Sequence, residues 1–446
     1  MSHAETQRGR DGGKTKMKKL LIMICAAVAS MAVADECSQF ERRISIADFR
    51  DRMAGAWIGQ SVGVSYGWPT EFKFCGELIP PEKMPPKWTP KTINETFTQD
   101  DLYVEMTFLD TLDRRGIDVS SRLAGIDFAN STYRLWCANM KGRNNLRHGI
   151  APPWSGHPAF HQHPYDLDYQ IESDFSGIIS PGCPNRAVAL GNTFGAIMNF
   201  GDGLYAGQFI GAMYSEAYFL ADRLAIVDAA LRYIPSESRY AEMVRDVKDW
   251  YLANPSDWEA TWKRVVDKYY FVNPTNLFGR TTKAELDVRV NGAFVVLGLL
   301  YGDGDIEKTL WITTRCGCDS DCNPSSACGV LFASMGLKSV PDEYKSGLSQ
   351  TNKWENTDYT YTKLLEVTER VARANIIVAG GRIEKDESGN EWVVVPVQKP
   401  CPNTYECVSR KTKQPPYDVR YTDVEMAQIL YEPAAAGKPS KRRAGK

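Results

Sequence analysis

Apolar residues recur at three- and four-residue spacing through most of this chain, and that period marks amphipathic helix. The segment "SIADFRDRMAGAWIGQSVG" carries it directly after Ser45, whose hydroxyl suits an N-cap. The same spacing predicts helices over 101–112, 203–220, 223–234, 240–252 and 290–300. Glycines fall inside several of them, at Gly55, Gly59, Gly63, Gly207 and Gly211. Each costs a helix about 1 kcal/mol relative to alanine, so their repeated use predicts helices that cross at close range. No repeat of fixed period is visible, and no linker divides the helical body. The expected fold is all-α, an orthogonal multi-helix bundle over residues 35–374.

Two stretches break the period. Residues 143–185 are rich in Pro, His, Gly and aromatic residues, which predicts a long, lid-like loop of the kind that serves function. Residues 375–410 contain two strand-like runs around Ser388-Gly389-Asn390, which predicts a small β-containing C-terminal extension over 375–430. Residues 431–446 read as a disordered basic tail. At the other end, a basic segment from Met17, an apolar run and Ala32-Val33-Ala34 have the layout of a secretory leader cut before Asp35. Residues 1–34 are therefore expected to be a signal peptide with an N-terminal extension. Its apolar run is too short for a membrane span. The mature protein is expected in the periplasm or outside the cell, free of the membrane.

Composition changes this picture in two places. A net charge of -2 over 446 residues gives no electrostatic case for nucleic-acid binding. Export would place the cysteines in an oxidising compartment. Cys25 lies in the leader, which leaves ten of the eleven. Cys401 and Cys407 are spaced to close a small loop, while Cys316, Cys318, Cys322 and Cys328 crowd one motif. A zinc site there would need four ligands, and no CxxC spacing or nearby histidine completes them.

The candidate chemistry lies in two acidic pairs far apart in the chain: Asp100-Asp101 in "TFTQDDLYVEM" and Asp319/Asp321 in "RCGCDSDCNPSSACG". Each stands at the mouth of a helix-like apolar segment. Brought together, four carboxylates would demand protons or hard divalent cations with oxygen ligands. A plainer reading is open for both pairs, in which Asp100 caps one helix and the D-x-D is a turn. Asn323 is the expected N-cap of the second helix, with Pro324 at its first position and Gly336 closing it.

These motifs resemble the ADP-ribosylglycohydrolase family. "GAWIGQSVGVSYGWPTEF" is similar to its opening Gly-rich helix, with Glu71 matching a site glutamate; "TQDDLYVEM" resembles its Thr-Asp-Asp-Thr motif; "DSDCNPSSACG" resembles its closing Asp-x-Asp-Thr/Ser. The resemblance implies a glycohydrolase with two Mg²⁺ or Mn²⁺ ions in a cleft, held by Asp100, Asp101, Asp319 and Asp321. It also implies hydrolysis of an ADP-ribosyl or related ribosyl bond, with Asp101 or Glu71 as the water-handling carboxylate. Three departures stand out: Gln99 and Leu102 replace threonines, and Cys322 replaces a Thr or Ser. Gln99 can still offer an amide oxygen, and a thiol suits Mg²⁺ poorly, so one ion is expected to bind weakly. The resemblance places the 143–185 region beside the pocket, with His157, His161, Trp154 and Asn185 as substrate contacts. Export leaves two alternatives: a furanosidase or nucleoside hydrolase acting on a glycan or small-molecule furanosyl substrate, and a non-catalytic, crystallin-like binding protein.

Overall fold

The computed structural model describes residues 40–270, 283–406 and 419–430. The expected leader, the basic tail and Cys407 lie outside the described residues. Six helices position the site: α1 (Ile46–Gly67), α2 (Asp100–Arg115), α3 (Asp202–Ala217), α4 (Val288–Gly302), α5 (Cys322–Met335) and α6 (Tyr361–Val378). With the helices Arg223–Leu231 and Arg239–Ala253 they match the periodic segments to within a few residues at their ends. Ser45 caps α1 as its hydroxyl predicts, accepting from Asp48 N at 3.0 Å. Among the described residues the protein is all-α apart from one small sheet.

The glycine spacing has a specific outcome. Gly55, Gly59, Gly63 and Gly67 form one stripe of α1 that lies directly on the backbone of α5 and the loop before it. A Cβ at these positions would stand 2.6 Å from Phe332 O, 2.4 Å from Cys328 O, 2.1 Å from Pro324 O and 1.9 Å from Ser320 O, respectively. Successive contacts step back four residues along α5 for every four forward along α1, so the two helices run antiparallel in backbone contact. Their seam ends at the acidic loop. On α3, Gly207 and Gly211 likewise admit Tyr169 and Ser176.

Those two partners come from the stretch expected as a lid, and here the structure corrects the sequence reading. Residues 166–170 and 172–184 are buried and form two short helices, Asp168–Ile171 and Asp174–Ile178, wedged against α3. The stretch lacks a sustained period because it is buried on several sides at once, and not because it is loose. The β segment also differs from a free appendage. Strand β1 (Glu41–Ser45) pairs antiparallel with β3 (Glu391–Pro396), which pairs with β2 (Arg382–Lys385), giving the order β1-β3-β2. Val393, Val394 and Val395 are fully buried, so the hairpin stitches both ends of the domain together.

Candidate active site

Both acidic pairs lie at helix N-termini, and the fold brings them together. Gln99 is the N-cap of α2, with Asp100 and Asp101 as its first two residues. Asp321 is the N-cap of α5 and makes no side-chain capping bond. The simple capping readings therefore fail: neither Asp100 nor Asn323 caps its helix. Helical bonding already starts at Asp319 O and Asp321 O, which accept from Asn323 N at 3.1 Å and Ser325 N at 3.0 Å. Asn323 is thus inside the helix. Its amide nitrogen donates to Asn291 Oδ1 of α4 at 2.9 Å, and the same Asn291 oxygen accepts from Asp319 N at 3.3 Å.

Ligand atoms of Asp100, Asp101 and Cys322 lie within 4.8 Å of one another, as do those of Asp319, Asp321 and Cys322. Cys322 is common to both groups, so one small volume collects all four carboxylates. Asp101, Asp319 and Asp321 are 1 %, 1 % and 2 % exposed, while Asp100 is half-buried. Burial, then the Asp100 charge, raises the Asp101 carboxyl far above the usual range. Burial, then Asp321, does the same to Asp319. Glu71 keeps solvent contact at the rim, where desolvation by the surrounding protein, then Asp321 and Asp100, raise its carboxyl. Two helix N-termini aimed at one spot favour negative charge there. They do not offset four carboxylates packed this closely.

The donor set fits a divalent cation. Asp101 Oδ2, Asp319 Oδ2, Asp321 Oδ1 and Asn323 Oδ1 are buried oxygens without a hydrogen-bond donor. Unpaired buried carboxylate oxygens are costly unless a proton or metal meets them. Hard oxygen donors suit Mg²⁺ or Mn²⁺; the Cys322 sulfur suits a softer ion. Gln99 commits its amide nitrogen to Glu95 O at 3.3 Å, which leaves only Oε1 for an ion.

Sequence reasoning missed a second tier of acids behind the first. Glu105 follows Asp101 by one turn of α2, and its carboxylate accepts from Phe175 N at 2.7 Å. Asp168 accepts from Asn139 N at 2.9 Å, Glu172 accepts from the Asn139 amide, and Asp174 accepts from Tyr214 OH at 2.8 Å. All four are at least 95 % buried. Burial, then Asp166, pushes Asp168 up to about 7, and burial pushes Asp174 up to about 8. A trace of it is present in "DLDYQIESDF", where acids interleave with apolar residues.

The sequence profile of the ADP-ribosylglycohydrolase family matches residues 45–376. The chain belongs to that family. The family is that of a glycohydrolase, is generally metal-dependent, and has the all-α architecture seen here. A solved chain described as "ADP-ribosylglycohydrolase-related protein complex" is similar over 74 % of this chain and 100 % of its own, at 15 % identity and a TM-score of 0.46. No curated protein sequence matches. Among the described residues, no helix is long and apolar enough to cross a membrane.

The residues expected to contact substrate make the following contacts within the protein. His161 is fully buried; its Nε2 meets Ala138 O at 3.0 Å and its Nδ1 accepts from His163 N at 2.9 Å. Asn185 binds Lys399 O at 2.9 Å and Cys401 N at 2.9 Å, tying down the C-terminal segment. Trp154 packs on His157 at 4.6 Å between ring centroids, and His157 packs on Phe200 at 4.7 Å. Burial holds the His157 imidazole neutral, with its pKa lowered to about 4. His161 and Asn185 thus spend their polar atoms on backbone groups, while Trp154 and His157 stay half-exposed.

Proposed function

We propose that the protein is a metal-dependent glycohydrolase that cleaves an ADP-ribosyl or related ribosyl bond. The observation that carries this reading is the meeting of Asp100-Asp101 with Asp319/Asp321 around Cys322, with unsatisfied oxygens directed into one volume. Asp100, Asp101, Asp319 and Asp321 would hold divalent ions, Mg²⁺ or Mn²⁺. Cys322 stands in both groups, and Asn323, the next residue, carries a further unsatisfied oxygen. The Asp100 side is the weaker position, because it is half-exposed and Gln99 is partly spent on Glu95.

When bound, such ions would supply Lewis-acid polarisation of sugar hydroxyls and of water. The remaining chemistry belongs to side chains. Glu71 is the water-handling carboxylate: it is the most exposed of the five acids, and its raised affinity for a proton suits a general base. Asp101 is left as a ligand, since its buried position gives no route for a proton to solvent. Any carboxylate charge that the ions leave unbalanced would favour positive charge developing at an anomeric carbon, as glycoside cleavage requires.

The test is release of sugar by the purified protein from ADP-ribosyl-arginine, O-acetyl-ADP-ribose, nucleosides and aryl furanosides, each with Mg²⁺, Mn²⁺ and chelator. Release from an ADP-ribosyl substrate, lost with chelator and reduced about a hundredfold or more in Asp321→Ala, is the expected result. Release from nucleosides or furanosides alone would move the substrate class. No release in any arm, together with no divalent ion bound by calorimetry, would sink the catalytic reading.

A further inference from the structure

The loop that carries Asp319 and Asp321 is held against the segment that carries Glu71 by a small set of contacts. Phe72 N donates to Cys318 O at 2.9 Å, and Cys318 N donates to Phe74 O at 2.7 Å. Further along, Ile79 N donates to Arg315 O at 3.0 Å, and the Thr70 and Ser320 hydroxyls meet at 2.8 Å. Two residues in this contact, Phe72 at φ +49° and Cys318 at φ +56°, occupy the left-handed region that L side chains disfavour. Each is bonded to the other's backbone. The register of Glu71 on the acidic loop therefore depends on a contact that holds two strained residues in place.

Two thiols face each other across that contact. Cys318 is fully buried and Cys75 is half-exposed, and both are free. Because Cys318 N donates to Phe74 O, the residue before Cys75, the two cysteines lie side by side, near enough for each sulfur to act on the other's charge. The Cys75 thiol also reaches Phe72 O at 3.7 Å. Gly317 is flush with the same segment, where a Cβ would stand 2.4 Å from Phe74 O. An accessible thiol beside a buried one is the arrangement in which an incoming disulfide is attacked by the first and resolved by the second.

We propose that Cys75 and Cys318 form a redox-sensitive dithiol that closes to a disulfide and locks the Glu71 segment onto the Asp319–Asp321 loop. The oxidant is a small external disulfide such as oxidised glutathione. Cys75 thiolate attacks one of its sulfurs and expels one thiolate, which takes up a proton as the first free thiol, leaving a mixed disulfide. Cys318 loses its proton, attacks the Cys75 sulfur and expels the second thiol. Two protein thiols and one external disulfide become one protein disulfide and two external thiols. The consequence for Glu71 rests on the proposed function, but the bond itself does not.

The experiment treats the full, reduced chain with oxidised glutathione, quenches with an alkylating agent, and maps the cysteines by mass spectrometry without reduction. The expected result is a peptide pair linking Cys75 to Cys318, with both protected from alkylation. The thermal midpoint should rise by about 5 °C on oxidation, and Cys75→Ser should abolish that shift. A stable glutathione adduct on Cys75 with Cys318 alkylated, a link from Cys75 to another cysteine, or full alkylation of both would overturn the proposal. Because the readout needs no turnover, failure here is separate from failure to find a substrate.

Discussion

Two regions of this protein look like ligand sets in the sequence, and they end in opposite roles. "HPAFHQHP" collects three histidines in eight residues, yet His161 is sealed in the interior and His163 pairs with Asp166 at 2.8 Å. The acidic pairs are more than two hundred residues apart and look like ordinary caps, yet they meet with unsatisfied oxygens. What separates them is whether the local backbone consumes the side chains. In an irregular buried stretch it does, because backbone donors and acceptors left out of helices must be met locally. At a helix N-terminus one acceptor is enough, so extra acids are left over for chemistry.

The largest break in this comparison would come from the seam. Gly67→Ala places a methyl 1.9 Å from Ser320 O and 2.6 Å from Asp321 Cα, where only backbone can give way. We expect a stability loss of about 3 kcal/mol and loss of divalent-ion binding, measured by denaturant titration and calorimetry. Unchanged ion affinity would show that the loop's position does not depend on the seam.

The buried acids predict a pH dependence whose sign is fixed. Asp168 and Asp174 have folded-state values of about 7 and about 8, above those of the unfolded chain. The folded protein thus binds more protons than the unfolded chain across that interval. The stability they contribute is fully present below about pH 4 and is lost as pH rises through about 7 to 8, on the order of a few kcal/mol. Denaturation midpoints of chelator-treated protein should fall between pH 5 and 8, and saturating Mn²⁺ should flatten that fall. A flat profile without metal would mean that these acids are offset by groups outside the described residues.

His161→Ala sharpens the other side of the comparison. It removes the acceptor of His163 N and the partner of Ala138 O, leaves a cavity, and should cost about 2 kcal/mol. Turnover per folded molecule should be unchanged at a temperature where both proteins are folded. A fall in turnover with stability intact would return this histidine to the substrate.

Much of this was legible in the chain because periodic patterns report burial on one side. The helices, the Ser45 cap, Gly336 beyond α5 and the Asp-Asp and Asp-x-Asp motifs all follow from local spacing. Residues 164–184 were not legible in that way: they are packed against α3, the helix Pro184–Phe194 and Glu105 of α2, so no single face repeats. The pairing of Glu41–Ser45 with a strand some three hundred and fifty residues later was hidden for a related reason. Five residues ahead of a strong helix carry too little alternation to announce a strand. Glu105, Asp168, Glu172 and Asp174 interleave with apolar residues, a pattern that reads as one solvated face until their burial is known.

The smallest effect concerns Cys322, where this chain departs from the oxygen-only donor set that Mg²⁺ prefers. Its sulfur belongs to both ligand groups, so any ion at either position meets it or avoids it. Thiolate and thiol sulfur favour softer ions, whereas a hydroxyl serves hard ones. Cys322→Thr exchanges sulfur for oxygen at the first residue of α5, where a β-branched side chain costs little. The ratio of Mg²⁺ to Zn²⁺ dissociation constants, taken by calorimetry on the same preparations, should move about tenfold toward Mg²⁺, or about 1.4 kcal/mol. An unchanged ratio would place the sulfur outside the coordination shell and leave ion selection to the carboxylates and Asn323, while a shift would identify the thiol as the residue that sets which metal this family member uses.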